Sequence, residues 1–201
     1  MNLRFLKPTL FLSVASLLML ACSDDSSSST EMEPDPETPS SSSAAPLKGV
    51  LVDDFEDGNM VSLLDEGWFS YTDEGNSGAS TVSFLTDADG NWAAASEGYE
   101  SSYSLSLSYR LDKGNYEFDP YVGWGVNVPA SVNRNAIGGL SYWYKGGKHT
   151  VRVETSDITD HDVHSYTVNA SYANWKLVTV RFQDLMQEGW GIPVDFNKEN
   201  I

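Results

Sequence analysis

The chain of 201 residues has one cysteine and few basic residues, and these two shortages restrict its covalent cross-links and its classes of binding partner. A single Cys cannot form an intrachain disulfide. Twelve Lys and Arg stand against 29 Asp and Glu, which gives a formal net charge of −17. This balance argues against sequence-independent binding of nucleic acid, where cationic side chains must replace the counterions of the phosphates. It argues equally against an electrostatic hold on an anionic membrane surface.

Motifs of common catalytic sites are also missing from the sequence. It contains no Gly-x-Ser-x-Gly, no phosphate-binding loop and no His-Glu-x-x-His. Acids are numerous, however, so counting does not exclude a pair of carboxylates that hydrolyses glycosidic bonds. The sequence therefore leaves open whether this is an enzyme, and a catalytic domain further downstream is one alternative.

The first 21 residues have the pattern of an export signal. Arg4 and Lys7 precede an apolar run from Leu10 to Leu20, and a polar tract follows at once. The run is too short for a comfortable membrane span. Met19 to Cys22 resembles a bacterial lipobox, which implies that residues 1–21 are a lipoprotein signal peptide and that Cys22 carries lipid. A plain signal peptide with an incidental Cys is the alternative.

The residues directly after the lipobox extend this prediction. Ser23, Asp24 and Asp25 are similar to acidic tags that send some lipoproteins to the outer face of the outer membrane. The resemblance implies a protein of the bacterial cell envelope, anchored to the outer membrane by lipid alone and exposed at the surface.

Residues 22–46 have the composition of a disordered linker. They hold nine Ser, four Pro and six acids, with no base and no aromatic residue. Such a segment has too little apolar surface to offset the entropy of ordering it. Like charges and prolines keep it extended, so we expect a spacer between anchor and domain.

Residues 47–201 read as an all-β domain. Tyr103 to Leu111 alternates apolar and polar residues, and Thr150 to Glu154 does the same. Leu140 to Tyr144 and Leu177 to Phe182 are rich in aromatic and β-branched residues. Lys145 to Lys148 predicts a hairpin turn. No long stretch has a helical period, so the pattern predicts a two-sheet antiparallel β-sandwich.

Three stretches together resemble a known family. They are Leu51 to Asn59, Tyr121 to Asn127, and Trp175 to Phe182 leading to Gln187 to Gly191. Their order and spacing resemble family 11 carbohydrate-binding modules and their galactose-binding-like relatives, which are β-jelly-roll sandwiches attached to glucan-degrading enzymes. The resemblance implies a jelly roll over residues 47–201. The family's closing strand has no counterpart here, so we expect a domain truncated at its C-terminus.

The resemblance also implies a ligand and a set of contact residues. A neutral polysaccharide offers apolar ring faces to aromatic side chains and hydroxyl rims to polar ones. The positions that match or approach the family's binding residues are Tyr71, Tyr121, Trp124, Asp160 and Trp190. Glycines flank both tryptophans, which favours rings that stand clear of the backbone. The alternative for each aromatic residue is an ordinary place in the core.

Four acids near the start of the domain suggest a cation. Asp53, Asp54, Glu56 and Asp57 lie within five residues, and Ca²⁺ prefers such oxygen ligands. The resembled family commonly has a structural calcium near this strand. Asp54 and Glu56 are the candidate ligands, and a solvated acidic turn is the alternative.

Three functions follow as hypotheses. The first is non-catalytic binding of plant-type polysaccharide, β-glucan above all, by a surface lipoprotein that targets an attached glycoside hydrolase. The second is a structural or protein-interaction sandwich of the cell envelope. The third is a small glycanase.

Overall fold

In the computed structural model the described residues are 9–13 and 49–201. Cys22, the predicted linker and most of the predicted signal peptide lie outside them. Within the described residues the chain forms nine strands and four short 3₁₀ turns, and no α-helix. The strands are β1 Thr9–Ser13, β2 Phe69–Thr72, β3 Thr81–Phe84, β4 Leu105–Arg110, β5 Val122–Gly125, β6 Gly139–Gly146, β7 His149–Val153, β8 His164–Val168 and β9 Ser171–Arg181. In this part of the chain no helix is long and apolar enough to cross a membrane.

The strands form one large sheet and two strand pairs. The large sheet has the order β3-β4-β1-β6-β9, and the pairs are β2-β5 and β7-β8. Every pairing is antiparallel. The predicted all-β class and its antiparallel sandwich are therefore confirmed.

The core lies between the large sheet and the two pairs. On β4 the apolar residues Leu105 and Leu107 are buried in the core, but Ser106 on the other face is also buried, so the alternation in sequence is not an alternation in exposure. The buried residues of β6 and β9 join the two leucines in one cluster with Val153 of β7 and Val168 of β8. Alternation places every second side chain on the same face, so β4, β6 and β9 each contribute two buried side chains to this layer.

The connection from β6 to β7 differs from the prediction. Lys145 to Lys148 was expected to turn a hairpin, but β6 pairs with β1 and β9, whereas β7 pairs with β8. The hairpin prediction is wrong because the turn carries the chain from one layer of the sandwich to the other. A glycine-rich turn fits both connections, so local sequence does not distinguish them.

Strand β1 has a place that the sequence does not suggest. It pairs with β4 on one side and β6 on the other, with Leu12 opposite both Leu105 and Tyr144. Four of these five residues, 10–13, belong to the apolar run of the predicted signal peptide. Since β1 is antiparallel to both neighbours, β4 and β6 run parallel to each other and are joined through β1.

Candidate functional site

The pair β2-β5 separates aromatic residues onto two faces. Tyr71 is the cross-strand partner of Gly123, and Phe69 is the partner of Gly125. Ser70 is the partner of Trp124. Partners in an antiparallel pair share a face, and successive residues alternate between faces. Phe69 and Tyr71 therefore lie on one face with the two glycines, and Trp124 lies on the other.

The two glycines of β5 make room for the two rings of β2. A Cβ at position 123 would overlap the ring of Tyr71. A Cβ at position 125 would come within 3.0 Å of Cζ of Phe69. An aromatic residue opposite a glycine can cover the bare backbone of the neighbouring strand. The result is two rings side by side, each lying over β5.

These rings belong to a longer chain of aromatic side chains, which we call the aromatic row. Its neighbouring ring centroids are 6.4, 6.2, 5.8 and 5.6 Å apart. In order, the members are Phe69, Tyr71, Tyr121, Tyr116 and Phe118. Tyr71 is 39% exposed and Phe118 is 65% exposed. Contiguous exposed apolar side chains are typical of surfaces that bind another molecule, so the row is the candidate site.

A buried carboxylate fixes the middle of the row. Asp73 accepts hydrogen bonds from the backbone N–H and hydroxyl of Ser80 and from the backbone N–H of Tyr121. Burial opposes ionisation of Asp73, but these hydrogen bonds outweigh it and hold its pKa below the ordinary value. Asn76 also donates to the hydroxyl of Tyr121 at 3.0 Å. Tyr121 is thus held at both its backbone and its ring.

Charged groups lie beside the row. Partial burial raises the pKa of Tyr71, and the charges of Arg152 and Glu154 on and just after β7 act on it in opposite senses. Both side chains are exposed. Arg152 also donates to the backbone carbonyl of His161 at 2.8 Å. The outer face therefore combines flat rings with polar groups that suit sugar hydroxyls.

Trp124 lies on the opposite face of the same strand pair. Its ring is 6.5 Å from that of His149, and it packs against the buried core cluster. His149 in turn contacts the hydroxyl of Tyr142 at 2.6 Å, and burial lowers its pKa. The structure brings the predicted residues Tyr71 and Tyr121 together and places the predicted residue Trp124 on the inner side.

Trp190 and Asp160, also predicted from the sequence, lie together in another loop. Trp190 is 61% exposed. The carboxylate of Asp160 accepts the backbone N–H of Ile192 at 2.6 Å and that of Asp162 at 3.1 Å. The first of these bonds contributes most to holding the pKa of Asp160 below its ordinary value. Asp160 thus supports the loop that carries Trp190, and Arg152, whose charge acts on Tyr71, donates to the carbonyl of His161 next to Asp160.

The candidate calcium ligands have partners within the protein. Glu56 accepts the backbone N–H groups of Ser102 and Tyr103, at 2.7 and 3.2 Å. Asp54 accepts the backbone N–H of Glu56 at 3.1 Å. Over residues 9–13 and 49–201, no group of three or more His, Cys, Asp or Glu residues is arranged to hold a metal ion. Calcium at Asp54 and Glu56 stays a prediction.

Sequence reasoning missed four residues of this face: Phe69, Tyr116, Phe118 and Arg152. A signal for the first was present, because Phe69 and Tyr71 are two apart and Gly123 and Gly125 are two apart. That spacing matches an antiparallel pair with rings over glycines. Tyr116 and Phe118 lie in an irregular loop, where no periodicity points to a face.

The comparisons with known proteins connect this domain to a glucan-degrading protein. The chain is 44% identical to Endoglucanase 3 of Fibrobacter succinogenes over 153 residues. The match covers 76% of this chain and 23% of that protein. No family model matches the chain. No solved structure matches it either.

Proposed function

We propose that this domain is a non-catalytic module that binds polysaccharide, β-glucan above all, through the aromatic row. The observation that carries the proposal is the packing of Tyr71 and Phe69 over the glycines of β5, which makes an apolar strip of two rings, tilted by 32° to each other, on an open face. Sugar rings present flat C–H faces to such strips, and Arg152 and Glu154 provide polar contacts at the edge. The similarity to part of an endoglucanase supports a glucan as the ligand. The resemblance of the sequence to family 11 modules also favours a polysaccharide ligand.

The hydrogen bonds of the buried carboxylates favour a binding module over a glycoside hydrolase. A glycosidase needs two carboxyl groups that face each other across the scissile bond and are free to exchange protons. The buried carboxylates Asp53, Asp73 and Asp162 each accept hydrogen bonds from the protein itself. These acids hold loops in place. In this proposal, catalysis belongs to a glycoside hydrolase to which the module is attached.

The proposed setting is the surface of a bacterial cell. Cys22 would carry the lipid anchor, the Ser/Pro-rich linker would extend from the outer membrane, and the domain would reach insoluble polysaccharide. Metabolic labelling with a palmitate analogue tests the anchor. We expect incorporation in the wild-type chain and its loss in Cys22→Ser, and equal labelling of both chains would contradict the anchor.

Calorimetric titration with gluco-oligosaccharides of increasing length tests the binding function. We expect affinity to rise with length until the chain spans the aromatic row. Xylo- and manno-oligosaccharides of the same lengths are the controls for glucan preference. Release of reducing sugar by the purified protein would indicate the glycanase instead. If no oligosaccharide gave a heat of binding, the binding function would be contradicted.

A further inference from the structure

Asp162 organises the loop that carries Trp190. Its side chain is nearly inaccessible, since the residue is 2% exposed. One carboxylate oxygen accepts the backbone N–H of Glu188 at 2.9 Å. The other accepts those of Gly189 at 3.0 Å and Gly191 at 2.9 Å. Three N–H groups of one short loop thus converge on one carboxylate.

Asp160 completes this arrangement, which we call the Asp clasp. It accepts the N–H of Ile192, so four of the five backbone N–H groups of residues 188–192 donate to Asp160 or Asp162. Gln187 closes the base of the loop by donating to the carbonyls of Asp162 and Ile192. Hydrogen bonds to ionised acceptors are stronger than neutral ones. The loop has no regular secondary structure of its own, and the clasp supplies the order that a strand or helix would give.

Glycine is required on both sides of Trp190. Gly189 has φ +92°, a conformation that other residues rarely adopt. A Cβ on Gly191 would lie 2.5 Å from an oxygen of Asp160 and 2.6 Å from Cβ of Asp162. The backbone therefore passes close against the two acids, and Trp190 remains at the exposed tip. Its indole N–H donates to Glu188 at 3.2 Å.

We propose that Asp162 is a positioning residue that holds Trp190 ready to contact polysaccharide. This inference rests on the proposed binding function. Asp162 cannot reach the ligand itself, because it is buried and both of its oxygens accept loop N–H groups. If the loop were unordered, the indole would lose conformational entropy on binding, and this would weaken affinity. In the clasped loop that entropy is already lost when the protein folds. Asp162 thus acts on affinity through Trp190.

A double-mutant cycle on β-glucan binding tests this role. We expect Asp162→Asn to weaken binding by about tenfold, which is about 1.4 kcal/mol. Trp190→Ala should weaken it at least as much, and the double variant should bind no more weakly than Trp190→Ala alone. Asp157→Asn is the matched control, because Asp157 is an exposed acid in the preceding turn whose carboxylate bonds Asn200. It should bind like the wild type.

Amide hydrogen exchange gives a second readout that a general loss of stability would not produce. In Asp162→Asn we expect faster exchange at residues 188, 189 and 191, with exchange in β4 and β6 unchanged. Gly191→Ala provides a second route if Asp162→Asn folds poorly, because its Cβ pushes the loop off the clasp while leaving both acids in place. It should reproduce the loss of affinity.

Two results would overturn the positioning role while leaving the binding function intact. One is wild-type affinity in Asp162→Asn when Trp190→Ala binds weakly. The other is a loss of affinity from Asp162→Asn that is equal in the wild-type and Trp190→Ala backgrounds. Asp162 would then act on the fold and not through Trp190. A wild-type protein that binds no glucan would overturn both the binding function and this inference.

Discussion

The ring of Tyr71 lies over Gly123, its partner on the neighbouring strand, in the space that a Cβ would fill. This relationship lays the Tyr71 ring against the backbone of β5 and limits the orientations that the ring can adopt. It also explains why a glycine lies within a strand, where glycine normally weakens the structure. The aromatic row depends on this contact.

Gly123→Ala should displace the ring of Tyr71. The added methyl group overlaps a ring confined between strand and neighbours, and overpacking of this kind costs about 1–3 kcal/mol. We expect a lower free energy of unfolding in urea and weaker retention in β-glucan gels. Gly138→Ala is the matched control, since a Cβ there meets nothing within 4 Å. Unchanged retention of Gly123→Ala would show that the Tyr71 ring takes no part in binding.

Trp124→Ala and Trp190→Ala should have opposite signatures. Trp124 packs on the core, so its removal leaves a cavity and should cost about 3 kcal/mol of stability. Trp190 is exposed, so its removal should change stability by no more than about 0.5 kcal/mol. Glucan binding should fall for Trp190→Ala at a temperature where both variants are folded. Full stability of Trp124→Ala with lost binding would restore the sequence interpretation of Trp124 as a ligand platform.

Stability should fall on acidification below about pH 4, because Asp73 and Asp160 both have pKa values below the ordinary 3.8. A depressed pKa means that the folded state binds protons less readily than the unfolded chain. The stabilisation is therefore present above the unfolded pKa and is lost as the pH falls through the folded one. The free energy of unfolding in urea, measured from pH 7 to pH 2, reports this loss. Asp73→Asn should flatten the acid limb, and an acid limb as steep as that of the wild type would contradict the assignment.

Lipidation at Cys22 in the proposed setting removes residues 1–21 and β1 with them, so the mature chain should have a weaker large sheet than the full chain. A chain that begins at Cys22 lacks β1, which pairs with both β4 and β6. Backbone groups of these two strands would then lose their partners beside buried Leu107 and Tyr144, and unsatisfied buried groups are costly. We expect residues 22–201 to unfold at lower urea concentration than residues 1–201.

A peptide of residues 7–15 added in trans should restore part of the loss. A peptide with the same composition in scrambled order is the control, since it lacks the register that pairs residues 9–12 with Leu105 to Ser108. Equal stability of the two chains would show that β1 contributes nothing to the sheet.

Two of the strands that the sequence predicted, β4 and β7, are those in which apolar and polar residues alternate. On β4, Leu105 and Leu107 alternate with Ser106 and Ser108, and this contrast located the strand. Strands β2, β3 and β5 have four residues each, too few for a period to emerge. These short strands are recognisable only from their pairing with other strands in the structure.

The candidate site was predictable only in part for a related reason. Alternation at β5 predicts that Trp124 and its neighbouring glycines lie on opposite faces of the strand. It does not predict which of the two faces is exposed to solvent. That choice depends on contacts distant in sequence, with His149 on one face and Tyr71 on the other. Asp162 gave no signal, because its partners are backbone N–H groups about 26 residues away.

Affinity electrophoresis in gels containing β-glucan tests the central claim most directly. We predict that the wild-type protein is retarded and that Tyr71→Ala migrates as it does in a gel without polysaccharide. Thr81→Ala, an exposed change on β3 at the edge of the large sheet, should be retarded like the wild type. Mobility of the wild-type protein that is the same with and without β-glucan, xylan or mannan would contradict the account.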